Sequence, residues 1–394
     1  MRNLIPLTSA VFFMASQSAL ATDHIRIATF NVSMEAKNYV QGKDTELTGN
    51  ELQQALNNQE QQIKNIAEII QRVNPDIILL NEFDNLNNGN SAALKQFIKQ
   101  YLNKAQQGQN PIDFPYFYQG PVNTGVLMPV DINGDNKITP PQDTFGFGYF
   151  PGHYSMALLS KYPIDIKSIR TFQQFKWQDM PNALKPKLPD TGESYYNENV
   201  WQAMRLSSKS HWDIPVSING QRIHVLASHP TPPVFDGPED RNGSRNHDEI
   251  RFWVDYISPE QSHYIYDDQH NKGGLDRNSR FVVLGDLNAS VDDGDANKEG
   301  IGLLLNHPNV RDSKPTSKGG KTHSADNANG ASHTAFWRMR ADYVLPSKFG
   351  LEVVNSGVFW PESSDSLFRL IDSRASSSDH RLVWIDVKLT DKNK

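Results

Sequence analysis

Phe281–Ala289 reads Phe-Val-Val-Leu-Gly-Asp-Leu-Asn-Ala, four apolar residues that give way abruptly to a glycine, an acid and an amide. β-Branched and aromatic residues without a polar alternation describe a strand buried on both faces. Gly285 is expected to turn the backbone where that strand ends, which puts Asp286 and Asn288 at the strand terminus. A carboxylate and a carboxamide two positions apart, held on a rigid strand and aimed into a cleft, suit a metal ion or a water held beside a phosphate. Taken alone, the same residues equally describe a polar turn leaving a core strand.

Other strands end the same way. Ile25–Asn31 alternates apolar and polar residues and stops at Asn31, and the polar stretch Ser33–Gly49 follows as a loop. Ile63, Ile66, Ala67, Ile70 and Val73 fall on one face of a helix expected over Glu51–Val73, which Asn74-Pro75 terminates. Asp76–Leu80 then forms a second buried strand running into Asn81-Glu82. A β-α-β unit crosses over to a parallel neighbour, so Asn31 and Glu82 emerge at one edge. Ser91–Leu102 suits a second helix, and Met156–Leu159 another strand. Val216–Ile218 and Arg222–Ser228 flank Asn219-Gly220, whose preference for positive φ makes a hairpin that delivers His229 just before Pro230. Asp248–Ile257 has helical character. Ala341–Pro346 carries Asp342 on a short strand, and Val353–Phe359 leads to the Ser-rich turn before Asp379-His380. Leu382–Leu389 closes the chain as an alternating strand with Trp384 half-buried. The pattern is one α/β domain over residues 22–394, with insertions near 111–150, 170–212 and 231–280, and without internal repeats.

Composition narrows the chemistry. The chain has 394 residues, 37% hydrophobic and 21% charged, in the range of soluble globular proteins. Met1–Ala21 has the form of a secretory signal: Arg2, an apolar stretch over Leu4–Ala15, and Ala19-Leu20-Ala21 before cleavage near Ala21/Thr22. A secreted or periplasmic protein without a transmembrane anchor is the expectation. Its removal takes one arginine and leaves 38 basic against 45 acidic residues, a net charge of −7. That excludes a broad basic stripe for nucleic acid, though not a local positive groove. With no cysteine, thiol catalysis, disulfides and Cys-ligated zinc are excluded. No feature identifies a protein partner.

Two further groups are candidates of a weaker kind. Asp131, Asn133 and Asp135 begin like a calcium loop with Asp143 near its end, but Gly134 comes early and Gln142 holds the twelfth position. Such a loop suits a structural Ca²⁺ or a plain polar turn. Arg241, Arg245 and Arg251 are spaced to offer bidentate donors to phosphate, or to be solvent-exposed or ion-paired.

In chain order, Phe30-Asn31, Asn81-Glu82, the strand ending in His229, Gly285-Asp286-Leu287-Asn288, Asp342-Tyr343 and Ser378-Asp379-His380 resemble the motifs of the endonuclease/exonuclease/phosphatase superfamily. That superfamily includes deoxyribonuclease I, exonuclease III, inositol-polyphosphate 5-phosphatases and sphingomyelinases. The resemblance spans about Ile25 to Leu389, and Met156–Ile164 is similar to the strand and turn between the family's acidic and histidine motifs. It implies a deoxyribonuclease I-like four-layer fold, two mixed β-sheets packed as a sandwich with helices on the outer faces. It also implies a secreted bacterial-type, Mg²⁺- or Mn²⁺-dependent phosphoesterase acting on a phosphodiester, nucleic acid included. A phosphomonoesterase, a lipid-headgroup hydrolase and a non-catalytic binding module share the scaffold.

Carried over residue by residue, the resemblance makes Glu82 the principal metal ligand, with Asn31 and Asp379 nearby. Asp286 would orient or deprotonate the attacking water, and Asn288 would hold that water or a phosphate oxygen. His380 would contact the scissile phosphate with Asp342 fixing its ring, and His229 would be a second phosphate donor or acid. No residue in the sequence stands out as the orienting partner of His229.

Overall fold

Alternate residues of the strand at Phe281–Asp286 divide the interior in two, Val282 and Leu284 joining one apolar core and Phe281 and Val283 another. The computed structural model describes residues 24–42, 46–89 and 91–393, so the signal-like segment Met1–Ala21 lies outside the described residues. The elements, in order, are β1 (Ile25–Met34), α1 (Glu51–Asn58), α2 (Gln61–Val73), β2 (Ile77–Phe83), α3 (Ala92–Phe97), β3 (Tyr116–Tyr118) and β4 (Met156–Ser160). They continue with β5 (Arg170–Thr171), α4 (Glu198–Ala203), β6 (His211–Ile218), β7 (Gln221–Ser228), α5 (Arg241–Tyr256) and β8 (Phe281–Asp286). The last are α6 (Lys298–Leu305), α7 (Lys318–His323), β9 (Asp342–Pro346), β10 (Phe349–Val358) and β11 (Val383–Asn393).

Two mixed sheets result, ordered β10-β11-β1-β2-β4-β3 and β5-β6-β7-β8-β9. Each has one parallel pair, β1 with β2 and β7 with β8. Val225, Ala227, Val282, Leu284 and Val344 of the second sheet share a core with the strands of the first. The alternate residues Leu226, Phe281, Val283 and Leu345 pack instead with Ile250 and Trp253 of α5 and Ile301 and Leu304 of α6. On the first sheet Ile63, Ile66, Ile69 and Ile70 of α2 join the other core. Helices thus cover a stacked pair of sheets, the α/β sandwich expected.

Parallel pairing sets the register that matters, Asn31 opposite Asn81, so the polar ends of β1 and β2 do share an edge. The hairpin forms as read, with Asn219 at φ 51° and Gly220 at φ 77°. Several boundaries move. The expected helix over Glu51–Val73 breaks where Gln59 turns left-handed at φ 55° and its N–H caps α1 at Ala55 and Leu56. Ser91–Leu102 winds as α3 and then, from Ile98, as a wider π turn. The helix expected from Asp248 starts earlier, at Arg241, because the polar first turn Arg-Asn-Gly-Ser of α5 carries no apolar period.

Under α5 lies His211, 1% exposed, its Nδ1 2.5 Å from the Ser207 hydroxyl and its Nε2 donating to the Glu249 carbonyl at 2.8 Å. Burial pushes its imidazole down from 6.5 to about 4. The unfolded chain therefore binds this proton more readily, and the contribution to stability, full above pH 7, is lost as pH falls from 6.5 towards 4. Urea unfolding of wild type and His211→Gln at pH 7.5 and about 4.5 should show the wild type losing about 3 kcal/mol more than the variant over that interval. Equal losses would contradict it.

Candidate active site

Gly285 does not turn the chain. It sits inside β8 at φ 149°, and a Cβ placed there would lie 2.0 Å from the Ser228 carbonyl oxygen. Only glycine lets β7 and β8 come that close, and the approach brings His229, the residue after β7, beside Asp286. The turn itself is made by Asn288 at φ 52°, whose N–H donates to Asp286 Oδ1 at 3.0 Å. Asn288 Nδ2 donates to the Pro230 carbonyl at 3.2 Å, tying the two strand ends together.

Asp286, 1% exposed, is the hub. Its Oδ2 accepts from Asn31 Nδ2 at 3.0 Å and lies 3.4 Å from His229 Nε2 and 3.5 Å from His380 Nε2. Its own N–H donates to Asn81 Oδ1 at 3.2 Å across the two sheets. On the far side of His380, Asp342 Oδ2 is 2.9 Å from Nδ1 and also accepts from Thr334 Oγ1 at 2.7 Å. The ring of Trp337 meets His380 edge-on at 4.7 Å.

These contacts give the two histidines opposite charge. Burial would strip the proton from His380, but Asp342 and Asp286 on its two nitrogens push it up to about 10. Burial and the nearby Lys209 push His229 down to about 4, so it is neutral at pH 7. Its Nδ1 is buried without a partner among the described residues, so the orienting group that the sequence left open is not a protein atom on that side. Asp286, which burial pushes up, is nevertheless held well below the carboxylate range by His380 and His229. Asp342 is raised by burial to about 6.

Glu82 stands at the end of β2 with its backbone in the left-handed region at φ 54°, a strained conformation of the kind stored at functional sites. Burial and the neighbouring Glu35 raise it to about 7, against the pull of His380. Glu35 is 1% exposed and held by His153 Nε2 at 3.1 Å. Asp379 is half-buried, accepting from Ser33 Oγ at 3.3 Å. Arg374 spans the two, 3.8 Å from Glu35 and 3.5 Å from Asp379. Carboxylates that crowd and repel, beside the amide oxygen of Asn31, are hard oxygen donors, and a divalent cation would relieve their repulsion. This set fits Mg²⁺ or Mn²⁺. Asp286, Asp342 and His380 also offer atoms within 4.8 Å of one another, but an imidazolium with a carboxylate at each nitrogen is no ligand.

The profile of the Endonuclease/Exonuclease/phosphatase family matches residues 28–380. The chain belongs to that family. Its enzymes are metal-dependent hydrolases of phosphoric esters, and this chain is one of them by descent and by site composition. No curated protein matches it. Among solved structures, an endonuclease/exonuclease/phosphatase protein from Beutenbergia cavernae is 15% identical, with a TM-score of 0.50 over 93% of this chain and 72% of that one. The human Nocturnin catalytic domain is 13% identical with a TM-score of 0.46, covering 93% of this chain and 95% of that one. A family protein from Leptotrichia buccalis is 16% identical with a TM-score of 0.44, over 93% and 99%.

The endonuclease/exonuclease/phosphatase scaffold brings together Asn31, Glu82, His229, Asp286, Asn288, Asp342, Asp379 and His380, but not the arginines. Arg245 donates to the carbonyls of Leu206, Phe145 and Arg205 at 2.8, 2.6 and 2.9 Å. Arg251 donates to the Pro181 carbonyl and pairs with Asp248, and Arg241 pairs with Glu239. These contacts tie all three to the fold, the ion-paired alternative for Arg241 and Arg251, with Arg251 Nε left without a hydrogen-bond partner among the described residues. In the loop at 131–143, Asp131, Asp135 and Asp143 do converge within 4.8 Å. Asn133 accepts the Asp135 N–H, while Asp143 accepts from Ile132 and Thr139. Among the described residues no helix is long and apolar enough to cross a membrane.

Three residues near the site escaped the sequence reading: Glu35, Lys209 and Glu249. Glu249 had a signal, since it shares the buried face of α5 with Asn246, Ile250 and Trp253. Lys209 in Ser-Ser-Lys-Ser had none.

Proposed function

We propose that this enzyme is an exported, Mg²⁺- or Mn²⁺-dependent phosphodiesterase, a nuclease or a relative acting on a smaller diester. The observation that carries it is Asp286, an ionised carboxylate flanked by one neutral and one charged histidine. Export rests on the signal-like Met1–Ala21.

In this reading Glu82, Asn31 and Asp379 hold the divalent ion, which when bound neutralises the charge on the phosphate and leaving oxygens. Asp286 is too weak a base to take a proton early, so its part is to accept a hydrogen bond from the attacking water and aim it, with Asn288 steadying the turn beneath. His380, 3.5 Å from Asp286 Oδ2 and so only loosely engaged at Nε2, donates to a phosphate oxygen while Asp342 fixes its ring. His229, neutral and buried, supplies a second hydrogen bond at the phosphate.

The test is a panel of single-stranded and duplex DNA, RNA, bis(p-nitrophenyl) phosphate, p-nitrophenyl phosphate, inositol phosphates and sphingomyelin, each with Mg²⁺, Mn²⁺ or EDTA. Diester hydrolysis that EDTA abolishes is expected. Turnover confined to monoesters or to sphingomyelin would replace the diester reading, and activity indifferent to EDTA would remove the metal from it.

A further inference from the structure

Lys209 is 6% exposed, yet among the described residues its ammonium makes no hydrogen bond or ion pair. The stem is buried but Nζ still reaches solvent, so the ammonium is open to a ligand and not spent on the fold. Burial lowers its pKa from the ordinary lysine value, while the site's Glu249, Glu82 and Asp286 oppose this by favouring the protonated form, and it acts in turn on His229.

Two of those acids are already committed. Glu249 accepts the Ser208 N–H on one oxygen and the Thr231 N–H on the other, both at 2.6 Å. Both oxygens of Asp286 have the contacts described above. Glu249 therefore acts as a brace between the segment that carries Lys209 and the one that carries His229. The Asn123 N–H donates to the Lys209 carbonyl at 2.8 Å, and Gly146 packs so tightly that a Cβ there would lie 1.9 Å from the Ser208 carbonyl oxygen. The backbone is clamped from three sides, while the side-chain charge is left unpaired.

We infer that Lys209 is a substrate-binding residue whose ammonium donates to a non-bridging oxygen of the phosphate held beside Asp286. This rests on the phosphoesterase reading for its setting. A cation on a clamped backbone, with no internal hydrogen-bond partner to exchange, interacts strongly with an arriving anion. It would act together with His380⁺ and the divalent ion, and it explains why a site so rich in carboxylates can admit an anion.

Lys209→Met keeps the length and removes the charge. Melting without ligand should stay close to the wild-type temperature, because no hydrogen bond or ion pair within the protein is lost. Inorganic phosphate, titrated calorimetrically with Mn²⁺ present, should bind about 10- to 100-fold more weakly than to wild type. On whichever diester the panel identifies, kcat/KM should fall by a similar factor, about 10- to 100-fold. A variant that fails to fold or melts far below wild type makes Lys209 a structural residue and overturns the inference, as does phosphate binding within about twofold of wild type. If the wild type hydrolyses nothing in the panel, the enzymatic reading fails while the phosphate titration still decides the role of Lys209.

Discussion

Glu82→Gln will reduce metal-dependent hydrolysis by about 10³-fold at a fixed, physiological Mg²⁺ concentration, the scale expected when a hard cation loses its principal carboxylate. The carboxylate occupies the end of β2 in a left-handed conformation, with Glu35 and Asp379 close enough to raise it. A glutamine has the same shape and keeps one oxygen donor, but it removes the negative charge that draws the ion in. The same substitution relieves repulsion in the metal-free protein, so its melting temperature without metal should hold or rise. Calorimetric Mn²⁺ titration alongside kinetics separates the two effects. If the variant binds Mn²⁺ as tightly as wild type and retains activity within about tenfold, the ion is held elsewhere.

His380→Ala should carry the other large effect, on rate and on stability together. The imidazolium sits between two buried carboxylates, 2.9 Å from Asp342 and 3.5 Å from Asp286, and among the described residues it makes the one ion pair to Asp342. Removing one member of a buried pair leaves an uncompensated charge, worth about 3–5 kcal/mol in unfolding free energy at neutral pH. Loss of a cationic donor to the transition state should lower kcat by about 10²–10³-fold. Asp342→Asn/His380→Ala divides the two: it removes the stranded carboxylate and should recover part of the stability, whereas kcat should stay low. Recovery of both would make His380 a structural residue. A single variant as stable and as active as wild type would refute the arrangement.

How much of this was legible before folding can be followed at particular residues. The strand Phe281–Asp286 was readable because four consecutive apolar residues leave no exposed face, and the polar ends at Asn31, Glu82, His229 and Asp286 were readable because each interrupts such a run. The role of Gly285 was misread, since a glycine needed for close strand approach looks in sequence like one needed for a turn. The break at Gln59 was hidden because glutamine is a good helix former, yet here it turns left-handed and its N–H closes the end of α1. The alternatives for Arg245 and Arg251 stayed open because a sequence shows a side chain's donors and not the carbonyls that engage them.

On its own, the sequence determined the strand order's polar edge, the family, and the residue types from which a metal-dependent hydrolase is made, because burial periodicity and short motifs are local properties of the chain. Only the tertiary structure decided what those residues are electrically. His229 and His380 are the same residue type at similar strand ends, yet one is neutral and the other charged, because two carboxylates from β8 and β9 flank His380 whereas His229 has one and shares its space with Lys209. Protonation depends on distance and burial summed over elements far apart in sequence, and no stretch of chain contains that sum.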